Sequence, residues 1–435
     1  MTNAEHQSPR APLHARLRGI LTAMEEEPRL RRAVLMICIV AALVRCTFQL
    51  VVAPPVHTAE DYNIARHLLA GEGFSYGEHG PTTIKGPFYP ALLALFLALF
   101  GDPQGLQAVA LFQHLLYAAL PWLLFRIGSE LGIPRIGALA GLLFALHPSY
   151  VYNATVAENT AVFVFCGALW GLLLLRSRTA ARPALKVLLM GALLGGFVLE
   201  KPVAVPVLIA SLAVLPRGRR HLLGFILIVA ALVLLPWSIR GALLFGDPTP
   251  TRTYSAYLTF LYSWTPELAV HPRYALSQEF AHRLDSLYRL PESAALPEMR
   301  RMALDIIRQH WKLWLERTLV HALVYWWVPP RYWGNFSVEF VAVRLLPVVL
   351  LNALTVLGFV RLWRLHRDFA SFLLLALLCF TAGYALNHVV NIRYKLEVEW
   401  LQLYAAAAAL EALLLRLHRA AYGASSGATA GSSSG

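Results

Sequence analysis

The sequence predicts an all-α integral membrane protein of about ten transmembrane helices, with juxtamembrane helices in the first outer loop. Three observations predict it. Of the 435 residues, 57% are hydrophobic and 14% are charged, whereas a soluble domain carries roughly 25% charge. The charge is missing from long apolar blocks at roughly 33–53, 105–126, 133–150, 159–175, 185–200, 202–215, 222–240, 339–361, 369–387 and 400–417. The basic residues between these blocks gather in short loops, the pattern of loops held on the cytoplasmic side.

Taken in order, residues 1–32 form a polar, partly helical cytoplasmic tail that carries Arg10, Arg16, Arg18, Arg29, Arg31 and Arg32. The first apolar block has no small-residue cleavage site after it and is expected to stay as an anchor. Residues 33–240 are a transmembrane core containing the first outer loop, 54–104, and residues 241–338 are a second outer region. Residues 339–417 hold the C-terminal transmembrane helices, and 418–435 are a flexible, low-complexity tail. Basic segments at 176–186, 216–221 and 361–368 fall on the cytoplasmic side, together with both termini. Two apolar stretches are then left out of the crossings. "GPFYPALLALFLALFG" (86–101) is too short, and 311–330 is interrupted by Lys312, Glu316 and Arg317; both are expected as helices lying at the outer interface. Trp326, Trp327, Tyr332 and Trp333 read as an aromatic belt.

Composition also excludes. The net charge of +13 would suggest nucleic acid in a soluble protein, but here it is distributed as loop charge, so no nucleic-acid partner is expected. Cys38, Cys46, Cys166 and Cys379 all lie in apolar blocks without ligand spacing, which argues against disulfides and a cysteine zinc site. No cofactor is expected; a divalent metal is compatible with the chemistry but not indicated by ligand spacing.

Charge returns in two telling places. Residues 184–216 must hold two helices of fewer than about 20 residues each, so the Glu200-Lys201-Pro202 turn between them should lie below the membrane surface. Charge at that depth is costly and points to function. In the first outer loop, Glu60-Asp61-Tyr62 opens a helical run and "TTIKGPFYP" supplies a lone Lys85. A carboxylate can take a proton from an acceptor hydroxyl, and a lysine can stabilise charge growing on a departing phosphate. The same residues also read as an acidic helix N-terminus and a solvated lysine. His57 and His147 lie near the same region without a second ligand at helical spacing, which favours structural hydrogen bonding.

Five stretches in order resemble the GT-C superfamily of polyprenyl-phosphate-sugar-dependent glycosyltransferases, in the branch of aminoarabinose transferases and protein O-mannosyltransferases. They are the first-loop segment "DYNIARHLLAGEGF" with "PTTIKGPFYPALLALF", then "NATVAENTAVF", "GALLGGFVLEKPVAVP", "LLPWSIRGALLFGDPTP" and "IRYKLEVEW". The resemblance implies a GT-C-like helical bundle with two juxtamembrane helices in the first outer loop. It implies transfer of a sugar from a polyprenyl monophosphate, usually with inversion, at the outer face. A first-loop Asp would be the base, and Lys or Arg side chains would hold the lipid phosphate.

Carried over by residue, the family's base position falls on Thr58, while Asp61 stands one residue before Tyr62. Three residues apart share a helix face, so Asp61, with Glu60 beside it, is the expected base, and Glu158 matches the family's acidic residue at the fourth span. Lys85 matches the lysine of a Lys-Pro-Pro element, here "KGP", and Lys201 stands where the family has Arg-Pro. Arg240 and Arg393 take matching basic positions at the outer ends of spans, although each could also be a snorkelling anchor. His57, Tyr62, Tyr89, Tyr394 and Lys395 are expected around the substrate; Glu397 stands where the family commonly has Pro.

The implied function is an inverting glycosyltransferase of the bacterial inner membrane, with its site on the periplasmic side. Its partners would be a polyprenyl-phosphate sugar and a glycan, lipid or protein acceptor of the cell envelope. A lipid-linked-sugar flippase or secondary transporter would use buried hairpin charges equally well. The large outer loops and the lack of inverted repeats count against it.

Overall fold

A computed structural model describes residues 13–77, 80–177, 183–206, 211, 218, 220–249, 253–269, 271–327, 338, 341–388 and 392–428. Every regular element named among them is helical. The first half contains α1 (Leu13–Thr47), α2 (Glu60–Leu69), α3 (Phe88–Phe100), α4 (Gln104–Glu130), α5 (Pro134–Leu146), α6 (Pro148–Asn153), α7 (Thr160–Ser177) and α8 (Pro183–Glu200). The second half contains α9 (His221–Phe245), α10 (Thr253–Tyr262), α11 (Gln278–Tyr288), α12 (Glu292–Gln309), α13 (Trp311–Tyr325), α14 (Leu346–Leu365), α15 (Arg367–Leu386) and α16 (Ile392–Ala428).

Among the described residues, 7 helices are long and apolar enough to cross a membrane, and the chain is a multi-pass membrane protein. They correspond to the expected spans except at three places. At 133–150 the structure has α5, only 13 residues long, and then α6. Pro148 causes the break, because a residue before proline is pushed out of the helical region, and His147 is extended at ψ 114. The block at 185–200 is α8, of 18 residues. Most of 202–215 lies outside the described residues, as do residues 1–12, the basic segment 178–182 and the belt residues Tyr332 and Trp333.

Helix α1 starts at Leu13, within the tail expected to be partly helical, and runs on into the first candidate span, Glu27–Val52. Helix α16 starts at Ile392, so Arg393 to Trp400 belong to the last span rather than to the loop before it. The stretches left out of the crossings are helices of 13 (α3) and 15 (α13) residues, short of the ~20 a span needs. The Trp326 indole N–H donates to Thr381 Oγ1 at 3.0 Å.

The main core joins α4, α5, α7, α15 and α16, with Tyr117, Phe144, Trp170 and Tyr404 fully enclosed. A second core lies on the side that carries the long loops. There α10, α11 and α12 close around Leu261, Trp264, Leu284 and Met299 and take in Ile64 and Ile84 from the first loop. The two long loops are therefore packed together.

Helix α14 reaches α16 at Gly358, where an added Cβ would stand 1.7 Å from the Ala405 carbonyl oxygen. Backbone cannot yield as a side-chain tip can. Gly358→Val is expected to separate the two helices and cost about 1–3 kcal/mol or more, seen as a lower unfolding temperature in detergent; an unchanged temperature would refute the contact.

Candidate functional site

The site begins with two loops pressed together. Ala59 is extended and turns the chain into α2, so Glu60 and Asp61 occupy its first turn, where exposed N–H groups favour negative charge. Gly86 follows Lys85 and lies against the end of α8: a Cβ there would be 2.5 Å from Leu199 O and 2.8 Å from Glu200 Cα. Only glycine permits that approach. Glu200 in turn accepts the backbone N–H groups of Phe88 at 2.6 Å and Tyr89 at 3.2 Å, the free donors at the start of α3. Its other oxygen accepts from Asn159 at 2.9 Å. The lysine loop is thereby fixed to the Glu-Lys turn.

A third segment joins through His57, whose backbone N–H donates to Thr155 O at 3.3 Å and whose carbonyl accepts from Ala157 at 2.9 Å. This short pairing carries Glu158 toward α2. Around the junction, charges alternate. Lys85 Nζ is 3.2 Å from Glu60 Oε2 and 3.2 Å from Asp61 Oδ2. Arg393 Nη1 is 2.7 Å from Glu158 Oε2 and its Nη2 donates to the Tyr394 hydroxyl at 3.0 Å. Lys201 pairs with Glu397, which also accepts the Tyr384 hydroxyl, and its ammonium lies 5.4 Å from the Phe163 ring and 5.8 Å from that of Tyr394. Asn153 and Thr160 donate to Glu158 Oε1 at 2.6 and 2.9 Å.

Exposure separates these groups. Asp61 is 1% exposed and its Oδ1 has no partner, whereas the Arg393 side chain is 32% exposed. Lys201 and Glu397 are sealed. The arrangement therefore holds a buried carboxylate oxygen without a hydrogen-bond partner, and a part-exposed guanidinium paired with a carboxylate.

Residues 84–239, just over a third of the chain, match the family described as dolichyl-phosphate-mannose-protein mannosyltransferase. That segment matches a GT-C glycosyltransferase domain. None of the curated proteins matches the chain. The matched segment includes Lys85, Glu158 and Lys201, while Asp61 and Arg393, which pair with the first two, lie outside it.

The remaining expected site residues each have contacts of their own. Arg240 donates to the carbonyls of Thr82 at 3.1 Å and Phe74 at 3.0 Å, over the Trp237 ring at 4.6 Å, so its contacts tie down the loop before Lys85. The Tyr62 hydroxyl donates to Asp102, at the far end of α3. Tyr89 donates to Gln113 Oε1 at 2.8 Å. Lys395 pairs with Glu399 at 3.2 Å, one turn further along α16, and His147 is 3.7 Å from the same glutamate. Tyr394 stays in the network, its ring stacked 4.7 Å from Tyr384.

Sequence reasoning missed Glu292, the first residue of α12, which is 1% exposed. It accepts the Thr82 hydroxyl at 2.6 Å, the Thr83 N–H at 2.8 Å and the Thr83 hydroxyl, which orders the approach to Lys85 from 209 residues away. Burial raises its pKa, and the threonine hydrogen bonds offset only part of that. Only the resemblance's "PTT" hinted at a partner here. Tyr384 and Asn153 were also missed, as polar groups inside apolar or loop sequence.

Electrostatics give the site an acid limit. Burial raises the Glu158 pKa, but Arg393 and then Lys201 outweigh it, so the carboxyl titrates below its ordinary 4.5. Glu60 is likewise held down: burial opposes, while Lys85 and its own backbone N–H prevail. For an acid whose folded pKa is depressed, the stabilisation is complete above the unfolded value and is lost as pH falls through the folded one. The unfolding temperature should thus drop as pH is lowered from 5 through 4.5 and below, more steeply in the wild type than in Glu158→Gln; parallel curves would refute the assignment.

Proposed function

We propose that the chain is an inverting glycosyltransferase of the bacterial inner membrane. It would move a sugar from a polyprenyl monophosphate to a cell-envelope acceptor on the periplasmic side. One observation carries this reading: Asp61 is buried with one oxygen on Lys85 at 3.2 Å and the other without a partner, in a site whose other cation, Arg393, is part-exposed on Glu158. The free oxygen takes the acceptor's proton as the new bond to the anomeric carbon forms and the bond to phosphate breaks. Departing phosphate needs cations more than a proton, and Lys85 and Arg393 supply them. A divalent ion is optional to this chemistry.

In the resting protein these cations are neutralised by Glu60, Asp61 and Glu158. A phosphate would share or displace those carboxylates. Lys201, held between Glu397 and two rings, reinforces the field from behind rather than meeting the donor.

Incubating purified protein with a labelled polyprenyl-phosphate sugar tests this. Release or transfer of label supports the enzyme; uptake into vesicles without bond cleavage would support a transporter and overturn it.

A further inference from the structure

A second cluster lies one helical turn from the network. Helix α13 places Trp314, Thr318, His321 and Tyr325 at spacings of four, three and four, hence on one face. Tyr325 belongs to the network: its hydroxyl donates to Tyr394 O at 2.9 Å and its ring stacks on Tyr384 at 5.7 Å. One turn earlier, His321 meets His388, with ring centroids 5.1 Å apart and both residues 2% exposed. The Thr318 hydroxyl is 3.1 Å from His388 Nε2. His388 is held at φ 53, a left-handed conformation that non-glycine residues rarely take without a reason. Arg317, fully enclosed, lies 3.9 Å over the Trp264 ring, which is itself 5.5 Å from His388.

The cluster has more donors than acceptors. Arg317 donates to the carbonyls of Tyr274 at 3.1 Å and Ser263 at 2.7 Å, but its Nε has no partner. Both ring nitrogens of His321, Nδ1 of His388 and the indole nitrogens of Trp264 and Trp314 are also without partners. Among the described residues, Tyr274 is the only acidic group whose charge Arg317 feels, and the charges acting on the two histidines are cationic, opposed at His388 only by the Trp314 backbone carbonyl. Buried polar groups are nearly always satisfied, and buried charges are paired. Six unmade hydrogen bonds in one cluster, three of them on groups that only donate, call for a ligand rich in acceptors and negatively charged. Three oxygens serve this set better than the two of a carboxylate.

We propose that Arg317, His321 and His388 form a phosphate-binding site, separate from the Lys85–Arg393 network, that takes a phosphate or phosphate-ester group. A lipid headgroup and free phosphate share that chemistry. The assignment does not depend on the transferase reading.

The test is a titration of the full chain in detergent, labelled with 15N-histidine, with inorganic phosphate at constant ionic strength set by chloride. Phosphate should shift two imidazole pairs saturably, assigned to His321 and His388 by single replacement. His321→Leu should abolish the response and Lys85→Ala should leave it. No saturable shift, a response that survives His321→Leu, or one lost in Lys85→Ala alone overturns the site. If His321→Leu does not fold, acetate in the wild type decides: binding as tight as that of phosphate refutes the phosphate assignment, and weaker binding supports it. Short-chain phosphatidic acid at matched phosphate then separates the sources. Tighter binding than inorganic phosphate supports a lipid headgroup, and weaker binding supports the free ion.

Discussion

Asp61→Asn is expected to lower sugar transfer by ~10²–10⁴, the usual effect of removing a general base, while the protein remains folded. Asn keeps the size and polarity of Asp at the start of α2 and still suits a helix N-terminus. Lys85 retains Glu60 at 3.2 Å, so the local ion pairing survives in part. What disappears is the buried oxygen without a partner. Parallel measurements of transfer and unfolding temperature separate chemistry from folding. If Asp61→Asn keeps near-full transfer while Glu158→Gln is dead, the base is Glu158. That second outcome runs against the geometry, because both Glu158 oxygens are already engaged, by Arg393 on one and by Asn153 and Thr160 on the other.

What the sequence made legible follows from the range of each interaction. Apolar blocks and loop charge are local signals, and they placed α1, α4, α7, α9, α14, α15 and α16 as membrane helices. They also left α3, as too short, and α13, as interrupted by charge, out of the crossings. The break at His147 was present in the text as Pro148, but in a hydropathy reading an apolar proline does not interrupt a block. The site was half legible. Lone charges in apolar or loop sequence pointed to Asp61, Lys85, Glu158, Lys201 and Arg393, and in the structure each of these is held in an ion pair.

Their pairing was not legible, because a lysine and the glutamate that neutralises it stand 196 residues apart in Lys201 and Glu397. Glu397 looked like a departure from a family pattern, yet it is the counter-ion that lets Lys201 be buried. Glu292 and the His321–His388 cluster escaped for the same reason. Each is unremarkable along the chain, and only the packing of α10 to α13 onto the first loop and the end of α15 gives it a partner.

The Lys201–Glu397 pair gives the second large expected effect. Both side chains are nearly inaccessible, so removing either leaves a buried charge uncompensated. Breaking such a pair from one side costs ~3–5 kcal/mol, whereas replacing both partners is often close to neutral. Lys201→Met alone should therefore destabilise strongly, because Glu397 would keep only the Tyr384 hydroxyl. Glu397→Gln alone should destabilise as well. The double variant should recover most of the loss, which gives a large coupling energy in a double-mutant cycle. Transfer by the double variant then assigns the lysine. If Lys201 acts from behind Glu397, as its enclosure implies, the stable double variant should keep transfer within roughly tenfold, less than losing a strong charge-assisted contact to the donor would cost. A double variant that is stable but inactive would place Lys201 on the donor phosphate itself. It would also mean that Glu397 must release the ammonium during each turnover.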